Sequence, residues 1–457
     1  MIARLGHMLS NWAKRFVPDP LVLAIFLTLL IALFALPKVD FSLSALSQIW
    51  LSGSGTKGFW GLLSFAMQMC LILITGHALA ETPLLSRLIN KLALLPKTTA
   101  SAAALVSLVA MLFAFLNWGL GLIVGALLAK SVGQNALKQK RPLHYPLIVA
   151  AGYAGLLVWH GGFSGSAPLK VTSAKDLTDV LETDLAQRIE PMLLEQTIGS
   201  SLNIVVTLLC LIGVPLLFLF MAPKDEQTME NAPDELLAEA STENNTIATQ
   251  TFAEKLNHSP IVIAVPVLLS AIWLWGWLQS SGLSRLNPNV MNLAMLAAGM
   301  ALHGSVHAYS AAVQRAVKSC AGIILQYPFY AGIMGIMAGS GLVLDVSAGL
   351  ATLGPKALSV ATFYLAGLVN LFVPSGGGQW AVQGPIIMEA ALQSGAKPET
   401  ILMALAYGDQ WTNMIQPFWA LPLLGICRIK AGALLGYTAL ILMISQLFFV
   451  LPLIVFA

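Results

Sequence analysis

The sequence predicts an all-α polytopic membrane protein, with about 11 full spans and two broken or re-entrant helical segments in an inverted repeat. Three observations carry that expectation. The 457 residues are 57% hydrophobic and 10% charged, where soluble domains hold about 45–50% and about 25%. Nineteen of the 45 charged residues fall in two stretches, 170–195 and 224–255, which leaves long apolar runs elsewhere. The two halves of the chain also echo each other in short motifs. This composition excludes an ordinary soluble enzyme, a disordered chain and a nucleic-acid binder. A net charge of +3 is too small to call for an anionic partner.

Apolar runs lie near 20–36, 59–80, 99–115, 144–165, 198–220, 261–278, 291–312, 320–342, 356–373, 399–424 and 431–456. Each is close to the roughly 20 residues of a membrane helix. The first follows Arg4, Lys14 and Arg15 without a clean small-residue cleavage site, so it reads as an uncleaved span. Segments 116–132 and 374–393 are apolar but interrupted by Gly, Pro, Asn and Gln, and read as the broken ones. Lys and Arg set the orientation. Arg87, Lys91 and Lys97, then Arg315 and Lys318, join the N-terminus on the cytoplasmic side, and Lys130, Lys138, Lys140 and Arg141 join them if 116–132 crosses the membrane rather than returning as a hairpin. The acidic loop 224–255 is then a cytoplasmic linker, and loop 166–197 is external. Cys70, Cys210, Cys320 and Cys427 each lie in a different apolar run without CxxC spacing, so no disulfide or metal site is expected.

The division expected is a first half, 1–220, a polar linker, 221–260, a connecting span, 261–280, and a second half, 281–457. Asn117-Trp-Gly-Leu-Gly-Leu parallels Pro374-Ser-Gly-Gly-Gly-Gln-Trp, and Ala151-Gly-Tyr-Ala-Gly155 parallels Leu405-Ala-Tyr-Gly-Asp409. Each half holds an even number of membrane segments. The single connecting span therefore turns the second half over, as in many secondary transporters.

The run Phe372-Val-Pro-Ser-Gly-Gly-Gly-Gln-Trp-Ala-Val-Gln-Gly-Pro385 is expected to stop a helix within the bilayer. Unpaired backbone groups there cost several kcal/mol in hydrocarbon, so such a break must line a cavity or be buried in protein. The helix restarting after it aims orphan N–H groups at a carboxylate. The candidate substrate ligands are Ser375, Gly376, Gly377, Gly378 and Gln379, with Asn117, Gly119 and Gly121 from the matching segment. Trp118 and Trp380 are expected to bound an alkyl end. Asp409, Thr412 and Asn413 share a helix face by spacing. An intramembrane acid is a functional candidate by default, here for a proton or a cation. His160, in Trp159-His-Gly-Gly-Phe-Ser-Gly165, can donate to a carboxylate or relay a proton. No nucleotide motif is present, so transport would be secondary rather than ATP-driven. The rival class is an intramembrane enzyme, suggested by the GxSG string at Gly162–Gly165 or by the i, i+4 pair His303 and His307.

In the glycine-rich run, in Tyr407-Gly-Asp-Gln-Trp-Thr-Asn413, in Asn117–Gly121 and in Phe16-Val-Pro-Asp-Pro20, the sequence resembles the short-chain fatty acid transporter family over essentially its whole length. The resemblance implies a bacterial inner-membrane symporter, often dimeric, importing a monocarboxylate such as acetoacetate or butyrate. Its coupling ion would be H⁺ or Na⁺, with no cofactor, and its partners would be the monocarboxylate, the lipid bilayer and a second copy of the chain, with no nucleic acid. Carriage of a dicarboxylate or an amidated amino acid is the alternative within the transporter class. Scarce intramembrane Lys and Arg favour a monoanion.

Overall fold

The computed structural model describes residues 20–53, 58–181, 183–223, 229–238, 251–371, 373 and 375–457. The readings placed on Arg4, Lys14, Arg15, Phe372, Pro374 and most of the acidic linker lie outside these residues, as does all but Pro20 of the opening pentapeptide.

Among the described residues the regular structure is all helical, with no strand. The first half holds α1 (Pro20–Ala35), α2 (Leu43–Ser52), α3 (Leu63–Ala80), α4 (Pro83–Leu92), α5 (Thr99–Leu116), α6 (Trp118–Lys138), α7 (Tyr145–Tyr153) and α8 (Ser201–Met221). A connecting helix, α9 (Pro260–Ser281), follows. The second half holds α10 (Pro288–His303), α11 (Val306–Val317), α12 (Ala321–Gly339), α13 (Leu342–Ala351), α14 (Gly354–Asn370), α15 (Gly376–Ser394), α16 (Pro398–Thr412), α17 (Pro417–Cys427) and α18 (Ala431–Phe456). Among the described residues, seven helices are long and apolar enough to cross a bilayer. Of α9, only Ile263 is buried, while Leu268, Leu269, Ile272, Trp273 and Trp275 are exposed, the surface of a helix bathed in lipid.

The elements pack in matching pairs. Helix α3 lies against α10 and α11, and α12 lies against α1 and α2. Helices α5, α6 and α7 pack on one another, as do α14, α15 and α16. Helix α4 packs on α6, and α13 on α15. Each half thus contributes a helical hairpin, α5–α6 and α14–α15. The two tips, Asn117 and Ser375, lie close to the same short segment, 159–166.

The breaks fall elsewhere than the sequence suggested. The two segments expected to be broken are continuous helices that start at their motifs. Two segments expected to be continuous spans are broken instead. The run 144–165 is α-helical to Tyr153, forms a 3-10 turn at Ala154–Leu157 and is non-helical at 158–165. The run 399–424 is interrupted by a 3-10 turn at Asn413–Ile415. The span expected at 291–312 is split by Gly304, which adopts φ +72° and ends α10.

These breaks persist in a buried setting because each satisfies the other's backbone. Tyr153 Oη donates to the carbonyls of Asn413 (2.8 Å) and Gln416 (2.9 Å). Gln410 Oε1 accepts the N–H groups of His160 (3.0 Å) and Gly161 (3.2 Å). Side chains of one half thus complete the orphan groups of the other, as the absence of water demands.

The segment 166–197 is not a plain solvated loop. Its short helices pack on α15, and Lys170 is fully buried. The Lys170 ammonium binds Asp176 at 3.1 Å and Asp179 at 2.7 Å. Arg188 forms a bidentate pair with Glu389 of α15, at 2.8 and 3.3 Å. On the linker side, residues 229–238 dock on the start of α7, where Tyr145 N–H donates to Glu230 O at 2.8 Å. Gln134 Nε2 likewise donates to Leu236 O at 2.7 Å.

Candidate functional site

The site grows from two helix starts. Asn117 ends α5 in extended conformation (φ −155°, ψ 126°) and caps α6. Its Oδ1 accepts the Leu120 N–H at 2.9 Å, and its Nδ2 donates to Ile72 O of α3 at 3.1 Å. Ser375 does the same for α15: its Oγ accepts the Gly378 N–H at 3.3 Å and donates to Tyr327 Oη at 3.1 Å. The three glycines therefore form the first turn of a helix rather than a break within one. Their role is close approach. A Cβ on Gly376 would fall 2.6 Å from the Trp159 ring and 2.8 Å from His160 Cε1, and one on Gly377 would fall 2.3 Å from Tyr327 Oη. The first N–H groups of α15 have no intrahelical acceptor.

These starts line a small inner cavity of about 20 Å³, room for about one water. Ser375, Gly376, Gly377, Tyr327, Ser166 and Asn413 give it polar wall, and Trp118, Trp159, Trp419, Met69, Leu156 and Ile323 give it apolar wall. Trp118 packs edge-on against Trp419, with ring centroids 5.1 Å apart.

Behind the cavity, His160 and Asp409 meet with both side chains buried, Nδ1 to Oδ2 2.6 Å. The other ring nitrogen, Nε2, faces the Ala167 N–H at 3.1 Å and Ser166 Oγ at 3.1 Å. A backbone N–H can only donate, so Nε2 holds its lone pair. The ring is therefore the neutral tautomer, with Nδ1–H donated to Asp409. The Trp159 indole stacks on it at 4.4 Å.

A hub that sequence reasoning missed lies beside the pair. Asn370, the last residue of α14, donates from Nδ2 to Asp409 O (2.9 Å), Thr412 Oγ1 (3.0 Å) and Asn413 Oδ1 (2.9 Å). Its own Oδ1 is buried and unpartnered. The only sequence signal was one amide closing an otherwise apolar run.

The structure brings some expected residues together and separates others. Trp118, Ser375, Gly376, Gly377 and Asn413 line the cavity. Thr412 and Asn413 turn their side chains to Asn370, while Asp409 turns to His160. Gly119 packs near Leu73 and Gly121 on Ala114, so both serve helix contact. Gly378 packs against the Tyr330 ring. Gln379 Nε2 is taken by Ala366 O and Gln383 Oε1, each at 2.7 Å. Trp380 is wholly buried and rests on Gly384 of its own helix; Trp159 and Trp419 take the wall expected of it. Ser164 is committed to the Trp118 N–H at 2.9 Å. His303 and His307 fall on separate helices, and His303 Nε2 meets Ala78 O at 2.8 Å.

A wider vestibule of about 580 Å³ adjoins the inner cavity, and Trp118 and Trp419 wall both. It runs along α6 to Leu127 and is rimmed by His77, Glu81, Arg315 and Lys318. Burial pushes the Glu81 carboxyl up, but hydrogen bonds from His77 and Arg315 outweigh it and hold it at about 2.

The sequence profile of the short chain fatty acid transporter family matches residues 1–456. A protein of Escherichia coli strain K12, provisionally named a short-chain fatty acid transporter, is 35% identical over 460 residues, covering 100% of both chains. A Haemophilus influenzae protein with the same provisional name is 35% identical over 446 residues, covering 96% of this chain and 97% of its own. Two solved structures share the fold. The Alcanivorax borkumensis YdaH transporter matches with a TM-score of 0.54 and 16% identity, over 96% of this chain and 98% of that one. Neisseria gonorrhoeae MtrF, described within a class of antimetabolite efflux pumps, matches with a TM-score of 0.58 and 14% identity, over 98% and 96%. The family and both relatives are transporters and not enzymes. On a profile match along the whole chain and two full-length relatives, this chain belongs to the short-chain fatty acid transporter family.

Proposed function

We propose that the chain is a cation-coupled symporter importing short-chain fatty acids, such as acetoacetate or butyrate, across a bacterial inner membrane, with its N-terminus in the cytoplasm. The carboxylate sits at the start of α15, where the Gly376 and Gly377 N–H groups, Ser375 Oγ and Tyr327 Oη converge. Its short alkyl end lies against Trp118, Trp159 and Trp419. At about 20 Å³ the cavity must widen to admit it. The two halves act as an inverted repeat, with hairpins entering from opposite faces and their tips meeting at the cavity. The paired packing of the elements supports this.

The observation that carries cation coupling is the buried contact of His160 with Asp409, Nδ1 to Oδ2 2.6 Å, with the other ring nitrogen facing the Ala167 N–H at 3.1 Å. With Nε2 accepting from Ala167, the ring cannot be a cation without losing that bond. A carboxylate at Asp409, buried with its partner, then carries a charge that this ring does not balance. A buried charge of that kind demands a partner. A proton or a Na⁺ arriving with the substrate supplies it. Coupling is also an electrical necessity, since moving one charge against the membrane potential costs about 2.3 kcal/mol per 100 mV. Lys170 does not open a dicarboxylate reading, because two aspartates already hold it.

Replacing Asp409 by Asn tests this in reconstituted vesicles. Gradient-driven butyrate uptake should vanish while butyrate exchange continues. Driven uptake at the wild-type rate would remove Asp409 from the coupling step.

A further inference from the structure

The vestibule has a shape and a charge pattern that the inner cavity does not need. It is far larger, about 580 Å³ against about 20 Å³. Its long walls are apolar, made by Leu122, Ile123 and Leu127 of α6 and by Leu421, Pro422 and Ile426 of α17. Its charge sits at one end. Arg315 is engaged by Glu81, with Nε to Oε2 at 2.9 Å, whereas Lys318 is exposed at the same rim. The far end is closed by the Trp118 and Trp419 rings. From Leu127 to Trp118 the wall is about 13 Å long at 1.5 Å per residue. An apolar slot of this length with cationic groups at its mouth fits one chemical class, an amphiphilic monocarboxylate.

We propose that the vestibule is a second binding site, for monocarboxylates of medium chain length, too long for the inner cavity. The carboxylate is held at Lys318 and Arg315, the chain lies between α6 and α17, and its tip rests on Trp118 and Trp419. An occupant there blocks the aromatic partition and so inhibits transport from that face. The proposal goes beyond the transport reading, since binding at the vestibule does not require the inner cavity to carry a carboxylate.

The test uses the full chain in phosphatidylcholine nanodiscs and a heavy-atom quencher of tryptophan fluorescence, 10-bromodecanoate. The uncharged 10-bromodecanol is the control. The acid should quench saturably, and the alcohol should only partition without saturating. The saturable part should disappear in the double variant Trp118→Phe, Trp419→Phe. Lys318→Gln should weaken binding about fivefold, the upper worth of one solvent-exposed charge pair. Glu81→Gln, which removes a competing anion from the mouth, should tighten it by about the same factor. Opposite signs in these two variants cannot both come from a folding defect. Equal saturation by the alcohol would overturn the proposal. So would unchanged affinity in Lys318→Gln, or saturable quenching that survives the loss of both tryptophans. Failure of butyrate to bind would sink the transport reading and leave this one standing.

Discussion

At His160 the direction of a single hydrogen bond sets the tautomer of the ring. Ala167 N–H can only donate, so Nε2 accepts and Nδ1 is the atom that donates to Asp409, the contact on which the proposed cation coupling rests. Asp409 and His160 were both legible in the sequence, because an acid and an imidazole stand out among apolar neighbours. Their partnership was not, since 249 positions separate them. Asn370 was invisible for the same reason. One amide at the end of an apolar run carries no spacing signal, and only packing shows that it gathers Asp409, Thr412 and Asn413. Gly376 offers the sharpest test at this scale. Gly376→Ala places a methyl 2.6 Å from the Trp159 ring and 2.8 Å from His160, both rigid. Overpacking of this kind costs about 1–3 kcal/mol, so substrate affinity should fall about 10- to 100-fold in protein that still inserts. Wild-type affinity, read as the KM of uptake, would show that the cavity is not where the substrate sits.

At the scale of elements, the motifs marked the right places for the wrong local reason. Three glycines in a row suggested a helix stopped within the bilayer. They are instead the first turn of α15, kept free of Cβ atoms so that Trp159, Tyr327 and Tyr330 can close in. Glycine costs about 1 kcal/mol in a helix, and here that cost accompanies contacts no other residue permits. The helices that do break, 144–165 and 399–424, read as ordinary spans because their compensation lies in the other half, in Gln410 and Tyr153. The hairpin tips depend on their caps. Asn117→Ala loses a cap worth about 1 kcal/mol and also the Nδ2 hydrogen bond that ties it to Ile72 O of α3. Its unfolding free energy in mixed micelles should drop by about 1–3 kcal/mol. An unchanged value would mean that α6 starts without help from Asn117.

For the whole molecule, composition was enough to read a polytopic helical membrane protein, and the paired motifs were enough to suggest two related halves. The number of full spans was not legible, since apolar length does not distinguish a crossing helix from a hairpin arm or a broken one. The paired packing gives the inverted-repeat account a direct consequence. Lys97, at the base of the first hairpin, and Lys175, in the short helix packed on α15, are both exposed, and the inversion assigns them to opposite faces. The four native cysteines are buried, so they leave an impermeant maleimide little to react with. Single cysteines at 97 and 175 should label from opposite sides of right-side-out vesicles. Labelling from one side would contradict the inversion.

On the proposed reading, a cation gradient drives a small monocarboxylate through this site. Uptake of radiolabelled butyrate and acetoacetate into proteoliposomes, with Na⁺, pH and voltage gradients imposed one at a time, tests it most directly. The account predicts accumulation above equilibrium under one of the two chemical gradients, and none with Asp409→Asn. Correctly inserted protein that accumulates neither acid under any gradient would contradict it.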